Sequence, residues 1–200
     1  MNLMTRERKT SRSSSLASQS EFRKPAKAQV LTVPTPTEST LQRLEGPWTV
    51  TFDNGRGAPA STRIDGLHSW SESPDAGIRY YSGTATYARE LQFASSDRLA
   101  GARVWLDLGE VKNLAEVILN GHNLGVAWKA PFRVDMTSAL RPGGNTLQVK
   151  VTNLWVNRIV GDRQPGVTEP VTFTVPRFYK ADTPLLPSGL LGPVRVVRLQ

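Results

Sequence analysis

The sequence predicts an all-β protein folded as an antiparallel β-sandwich, and three observations support this fold class. Short runs in which apolar and polar residues alternate recur from residue 44 to residue 200, as in half-buried strands. The 16 glycines and 14 prolines of the 200-residue chain supply frequent turn signals. No long helical pattern is convincing. Short strands separated by turns, without long helices, are typical of β-sandwiches.

The stretch Val104–Trp128 is the centre of the predicted fold and indicates a strand, a short connection and a β-hairpin. Asn120-Gly121 stands between two hydrophobic runs, and both residue types tolerate the positive φ of a type I′ turn. We therefore expect the hairpin to turn at this pair or just after it. Asn123 and Gly125 are further turn formers, so the sequence leaves the exact register of the hairpin open.

Two strands are predicted before this centre. Trp48–Phe52 alternates with period two and ends at the turn cluster Asp53–Gly55. Ser61–Asp75 is predicted to be irregular, whereas Ile78–Phe93 is predicted to be one long extended run rich in Tyr and Thr. Gly83 lies in the middle of that run and indicates a bulge or a close approach of the backbone to another group.

Two further strands are predicted after the centre. Met136–Leu140 is expected to form one helical turn with Asp135 as its N-cap. The strand Thr146–Trp155 follows and places Trp155 on its apolar face, where core packing is the expected role. Mostly irregular sequence separates this strand from a last one, Val194–Leu199, whose alternation is imperfect.

Residues 1–40 are rich in Ser, Thr, Pro, Lys and Arg, and they predict a disordered basic leader or linker before a β-sandwich at residues 41–200. They hold seven Lys/Arg and three Glu, so they carry +4 of the chain's net charge of +8. Half of the excess charge thus lies in a fifth of the chain. The folded part has no block of five or six like charges, so nucleic-acid binding is not expected of it.

The composition excludes several kinds of site and segment. The chain has no cysteine, which excludes disulfides, thiolate metal ligands and cysteine nucleophiles. No run approaches the roughly 18 apolar residues of a transmembrane helix. Ser-rich sequence follows the basic N-terminus in place of an apolar stretch, so no secretory signal peptide is recognised. The sequence therefore leaves the compartment open.

Three segments carry a resemblance to a known family, and they are Ser69–Glu90, Leu106–Asp162 and Phe178–Val196. In this order they strongly resemble the C-terminal β-sandwich of large bacterial glycoside hydrolases of the α-L-rhamnosidase (family 106) type. More distantly, they are similar to the sugar-binding jelly-roll domain of the family 2 β-galactosidases and β-glucuronidases, a galactose-binding-like fold. The resemblance covers about residues 44–200.

The resemblance implies a non-catalytic carbohydrate-binding or accessory module, with carbohydrate or a glycoside hydrolase catalytic domain as its partner. The resembling enzymes are several times longer, and their catalytic carboxylates lie in an upstream barrel domain that is absent here. The chain is therefore expected to be a detached module or a gene fragment, with no membrane partner. Members of the family are often periplasmic or extracellular.

No catalytic residue, metal site or cofactor is predicted. Most glycoside hydrolases flank the scissile bond with two carboxyl groups about 5 to 9.5 Å apart, and no pattern pairs any two of the available carboxylates, which are Asp107, Glu110, Glu116, Asp162 and Asp182. The two histidines, His68 and His122, are expected at the surface and have no zinc-site spacing. A structural Ca²⁺ would suit the fold, but no ligand signature such as an EF-hand loop is present.

Carbohydrate binding requires an aromatic face for the apolar side of a sugar ring and polar groups for its hydroxyls. Such residues follow two predicted strand ends, where loops of a sandwich commonly carry binding residues, and a third irregular segment. The candidates for carbohydrate binding or a domain interface are Trp128, Lys129, Asn153, Trp155, Asn157, Arg158, Asp162, Tyr179 and Lys180. Asn153, Asn157 and Arg158 have an alternative role, which is to satisfy backbone groups of the long loop.

Two other functions stay open on the sequence. The chain is alternatively a glycoside hydrolase that cleaves O-glycosyl bonds with a partner or as part of a longer enzyme. As a second alternative, it is an interaction module whose basic tail binds a polyanion, with an affinity that falls as salt is added.

Overall fold

A computed structural model describes residues 37–97, 100–175 and 178–200. The predicted leader lies outside these ranges as far as residue 36, so it stays a prediction there. Residues 38–40 belong to the first strand, which thus begins before the predicted boundary at residue 41. No helix in the described ranges is long and apolar enough to cross a bilayer.

The strands in the described ranges are β1 (Glu38–Arg43), β2 (Trp48–Phe52), β3 (Ser61–Ile64), β4 (Thr84–Phe93), β5 (Arg103–Asp107), β6 (Glu110–Lys112), β7 (Leu114–Leu119), β8 (His122–Ala127), β9 (Arg133–Asp135), β10 (Gly143–Thr152), β11 (Gly189–Gly192) and β12 (Arg195–Leu199). The α-helices are α1 (Ala76–Arg79) and α2 (Val156–Gly161), and short 3₁₀ segments cover Trp70–Glu72 and Ser95–Asp97.

The strands form two principal antiparallel sheets around one hydrophobic core. The six-stranded sheet has the order β3-β2-β4-β10-β7-β8, and the four-stranded sheet has the order β1-β12-β5-β9. β6 pairs with β11 in a separate two-stranded sheet. This architecture confirms the predicted all-β antiparallel sandwich.

Alternation along each strand decides which side chains enter the core. In β2, Trp48, Val50 and Phe52 are buried, whereas Thr49 and Thr51 are exposed. Full burial of an apolar side chain of this size contributes roughly 1.5–3 kcal/mol. The predicted period-two pattern of this strand is confirmed.

Four aromatic side chains pack together in the core: Phe52, Trp70, Tyr81 and Tyr87. Edge-to-face contacts join Phe52 to Tyr81 and Trp70 to Tyr81, with ring centroids 4.8 and 5.4 Å apart. Trp70 Nε1 also donates a 2.6 Å hydrogen bond to the Tyr87 hydroxyl. Burial raises the pKa of Tyr87 far above its ordinary value, so this hydroxyl stays protonated. The cluster fixes the segment around Trp70 to the six-stranded sheet.

A charged network connects all strands of the four-stranded sheet. The Asp107 carboxylate on β5 pairs with Arg133 Nη2 on β9 at 2.8 Å and with Arg195 Nη2 on β12 at 2.7 Å. Arg133 also pairs with Glu38 on β1 at 2.8 Å. Burial by itself would raise the pKa of Asp107, but hydrogen bonds from the Gly109 N–H and the two arginines outweigh it and hold that pKa below its ordinary value.

Two predicted turns are confirmed. Asn120 and Gly121 have φ of 52° and 80°, as the type I′ hairpin turn between β7 and β8 requires. A β-bulge at Leu124, between Asn123 and Gly125, shifts the register of the hairpin. After β9, the Leu140 N–H donates a 3.0 Å hydrogen bond to the Met136 carbonyl, which closes the single predicted helical turn.

The predicted extended run Ile78–Phe93 is wrong in its first part. Its first residues belong to α1, because the Asp75 carboxylate accepts hydrogen bonds from two N–H groups of the first turn and caps the helix. The strand β4 begins only at Thr84. Gly83 precedes it, and an added Cβ there would lie 3.0 Å from the Arg56 side chain. The predicted close approach is thus confirmed, whereas the mid-strand position of Gly83 is wrong.

Two other predicted boundaries differ from the structure. Ser61–Asp75 contains β3, which pairs with β2, in addition to irregular chain. β10 ends at Thr152, and the next residue, Asn153, bonds the segment before β4 through its side chain. Trp155 therefore lies beyond the sheet and is 47% exposed. The predicted core packing of Trp155 is wrong.

Candidate functional site

Loops that carry many of the predicted site residues lie at one end of the six-stranded sheet. The pairings place Ala127 of β8, Ala115 of β7, Val151 of β10, Ala85 of β4 and Phe52 of β2 in one row. The segments beyond this row leave the sheet at the same end. We call it the loop end, and it comprises residues 53–58, 80–83, 112–113, 128–130 and 153–158.

Trp128 follows β8 at the loop end and is 68% exposed. The Lys129 Nζ lies 5.4 Å from the centroid of the Trp128 ring, within the range of a cation–π contact. Two strand spacings separate β8 from β10, so Trp128 and Asn153 leave the sheet about 10 Å apart. Trp128 thus presents an accessible ring with a cation beside it.

Trp155 is a second exposed indole at the loop end. The Arg56 guanidinium carbon lies 4.9 Å from the centroid of its ring, and Arg56 also donates a 3.2 Å hydrogen bond to the Ser82 carbonyl. Sequence reasoning missed Arg56, whose local signal was its position directly after the turn cluster Asp53–Gly55. Two exposed indoles, each with one basic side chain over its ring, therefore lie at the same end of the sheet.

Asn153 is buried and bonded to the backbone on both sides of its amide. Its Oδ1 accepts a 2.9 Å hydrogen bond from the Gly83 N–H, and its Nδ2 donates a 2.9 Å bond to the Tyr81 carbonyl. Both partners belong to the connection that leads into β4. The structure gives Asn153 the alternative role, which is to satisfy backbone groups.

Asn157 on α2 has the same kind of role. Its Oδ1 accepts from the Leu186 N–H and its Nδ2 donates to the Leu186 carbonyl, both at 2.8 Å. Asn153 and Asn157 also line a cavity of about 190 Å³, whose other lining residues are Lys112, Asn113, Leu154, Leu186, Pro187 and Ser188. Because both buried amides are committed to the backbone, the exposed Asn113 is the amide that this cavity offers to a ligand.

Arg158 and Asp162 form an ion pair at the end of α2. Arg158 Nη2 lies 3.0 Å from Asp162 Oδ1, and both side chains are buried. Asp162 also accepts hydrogen bonds from the backbone N–H groups of Val171 and Thr172 and from the Thr172 hydroxyl. The pair thus fixes a distant part of the long loop to α2.

Tyr179 and Lys180 lie in a separate turn of the same long loop. The Lys180 N–H donates a 2.8 Å hydrogen bond to the Thr183 hydroxyl, and the Thr183 N–H returns a 3.1 Å bond to the Lys180 carbonyl. Tyr179 is half-buried and Lys180 is exposed. Their role in binding stays a prediction.

The candidate carboxylates are largely committed to structural partners. The buried carboxylates of Asp107 and Asp162 bond arginines and backbone N–H groups, as described above. Glu110 pairs with Lys112 at 2.8 Å, and Glu116 pairs with Lys150 at 3.3 Å. Asp182 is exposed. Within the described ranges, no three side chains of the His, Asp and Glu type converge as metal ligands would.

These features define the class of the chain, which is a galactose-binding-like sandwich of the kind found in glycoside hydrolases. The family described as "Glycosyl hydrolase 2 galactose-binding domain-like" matches residues 73–176, just over half of the chain. The chain belongs to this family. The resemblance noted in the sequence is thereby confirmed.

Two relatives show how the family module occurs in longer proteins. A rhamnosidase structure from Novosphingobium sp. PP1Y is 44% identical, with a TM-score of 0.80, over 88% of this chain and 17% of that one. A Formosa agariphila protein named "Putative beta-glucuronidase" is 39% identical, and the match covers 76% of this chain and 15% of that protein. The chain therefore spans about a sixth of the length of these relatives.

Proposed function

We propose that this chain is a non-catalytic accessory module of a glycoside hydrolase. The observation that carries the proposal is that four of the five candidate carboxylates are committed to ion pairs. Asp107 and Asp162 are buried carboxylates that pair with arginines, and Glu110 and Glu116 pair with lysines. Glycoside hydrolysis needs one carboxyl group with a raised pKa as general acid. The lowered pKa of Asp107 is the opposite of that requirement.

An assay of aryl glycoside hydrolysis by the full chain tests this proposal. With aryl α-L-rhamnoside, β-D-glucuronide and β-D-galactoside as substrates, we expect no release of the aryl group above a protein-free control. Hydrolysis that substitution of an exposed carboxylate such as Asp182→Asn abolishes would instead establish the chain as a glycoside hydrolase in its own right.

Carbohydrate binding at the loop end is a second candidate function. Trp128 and Trp155 support it, because both rings are accessible and each has a basic side chain over it. Such rings suit the apolar face of a sugar, and the neighbouring lysine or arginine suits its hydroxyls. Asn153 and Asn157 do not support it, since backbone groups occupy their amides.

Calorimetric titration of the full chain with L-rhamnose, D-galactose and D-glucuronate tests this second function. We expect Trp128→Ala or Trp155→Ala to weaken binding roughly threefold to tenfold, as loss of one ring contact predicts. Phe178→Ala, at another exposed aromatic residue, serves as control and should leave affinity unchanged. If none of the three saccharides produces heat with the unaltered chain, carbohydrate binding is excluded as a function, and the proposed accessory function is unaffected.

A further inference from the structure

The segment Val171–Val175 shows an inverted arrangement of apolar and polar side chains. Phe173 is 94% exposed and Val175 is 78% exposed, and Val171 on the same side of the alternation is also exposed. Thr172, between them, is turned toward the protein and half-buried. Apolar residues of an extended segment ordinarily face the core. We call this segment the apolar strap, and its outward apolar face is expected to be covered by something else.

The Val171–Thr172 end of the apolar strap is bonded to the C-terminal end of α2. The Asp162 carboxylate accepts hydrogen bonds from the Thr172 N–H at 2.7 Å, from the Thr172 hydroxyl at 2.6 Å and from the Val171 N–H at 3.1 Å. Asp162 is in turn fixed by its ion pair with Arg158, whose N–H bonds the Ser82 hydroxyl at 3.1 Å. The Val171–Thr172 end of the strap is therefore pre-organised, which reduces the entropy lost there when a partner binds.

The apolar surface continues from the strap onto the neighbouring helix. Trp155 and Ile159 of the α2 region face Val171 and Phe173 across a groove of about 390 Å³. The Asp162–Thr172 bonds join the strap to the C-terminal end of α2. The surface thus combines exposed aromatic and aliphatic residues, which is typical of the centre of a protein interface.

We propose that the apolar strap, together with Trp155 and Ile159, is the surface on which another domain of a longer glycoside hydrolase packs. This inference rests on the proposed accessory function. The occupant is identified by the relatives, since the matching module makes up only 17% and 15% of their chains, and the rest of each chain must adjoin it. A surface with this many large exposed apolar side chains fits an apolar domain face better than a saccharide, which needs polar partners.

A chimera tests the inference. The matching segment of the Novosphingobium sp. PP1Y rhamnosidase is replaced by residues 37–200 of this chain, and hydrolysis of an aryl rhamnoside and the melting temperature are measured. The test variant is Phe173→Ser with Val175→Ser. The control variant is Val126→Ser, at a 50% exposed valine on β8. The same variants of the full isolated chain show whether either substitution disturbs the module itself.

We expect the unaltered chimera to be active and the test variant to lower its melting temperature by several degrees, with no change in the isolated chain. The control should match the unaltered protein in both settings. Equal melting of the test and control chimeras would overturn the inference and leave the accessory function standing. An unaltered chimera that neither folds nor hydrolyses would overturn the accessory function, and the inference with it. Phe173-dependent dimerisation of the isolated chain, measured by light scattering, would assign the surface to a second copy instead.

Discussion

Asp107 joins three strands of the four-stranded sheet through a single buried carboxylate. We expect Asp107→Asn to lower the free energy of unfolding at neutral pH by roughly 1.5–3 kcal/mol, because hydrogen bonds between charged groups are of this size. Urea unfolding of the full chain measures the difference. Glu116→Gln is the matched control, since its ion pair with Lys150 is much more exposed and should contribute less than about 1 kcal/mol.

The pH dependence of the same pair of proteins gives an independent test. The pKa of Asp107 is lower in the folded chain than its ordinary value, so the folded state binds fewer protons at this group. The ionised Asp107 therefore stabilises the folded state fully at pH values above its ordinary pKa. This stabilisation is lost as the pH falls through the lowered pKa of the folded state. The difference between Asp107 and Asp107→Asn should therefore shrink in acid. A difference that stays constant from neutral to acid pH would contradict this assignment.

The sequence predicts Asn153 as a carbohydrate-binding candidate, but its hydrogen bonds to the backbone make it a structural residue. We expect Asn153→Ala to lower the free energy of unfolding by about 2–4 kcal/mol, because it leaves the buried Gly83 N–H and Tyr81 carbonyl without their partner. Asn113→Ala, at an exposed amide near the same cavity, is the control and should change it by less than about 0.5 kcal/mol. Thermal unfolding measures both, and equal effects would argue against the structural role.

The β7–β8 hairpin depends on the positive φ of its turn. Gly121 has φ of 80° and open space around it, so Gly121→Ala introduces strain without a steric clash. We expect a loss of about 1–2 kcal/mol in the free energy of unfolding. Gly144→Ala in β10 is the matched control. The φ of Gly144 is not positive, and the added Cβ would lie 3.6 Å from the Gln92 side chain, which is an ordinary van der Waals contact. A similar loss in both variants would show that the turn conformation is not the cause.

At the level of the strands and turns, some parts of the site could be predicted from the sequence and others could not. The hairpin turn was predictable because its signal, Asn-Gly between apolar runs, is local. The end of β10 was not, because it is set by hydrogen bonds from Asn153 to residues about 70 positions earlier in the chain. For the same reason Trp155, which continues an apolar alternation in the sequence, lies outside the core.

The division of the chain into a leader at residues 1–40 and a folded module stays a proposal for the whole molecule. We expect deletion of residues 1–36 to leave the melting temperature unchanged within about 1 °C, because a segment poor in apolar residues adds little to a core. Differential scanning calorimetry of the full chain and the deletion variant measures this. A large drop in the melting temperature would show that the leader contributes to the fold.

The same two proteins decide the polyanion alternative. If the basic leader binds polyanions, the full chain should bind heparin with a strong salt dependence, and the deletion variant should lose both. Equal retention of the two proteins on a heparin column would remove this alternative.

By itself, the sequence determined the sandwich, the hairpin at its centre and the relationship to glycoside hydrolases. These follow from the alternation of apolar and polar residues, from turn residues and from segments that resemble the family. All three are local features of the sequence. The tertiary structure alone decided what the candidate side chains do. It commits Asn153, Asn157, Arg158 and Asp162 to internal contacts and leaves Trp128, Trp155 and Phe173 exposed. The physical reason is that a polar side chain bonds whichever group the fold brings near it, and neighbours distant in sequence are set only when the sheets assemble.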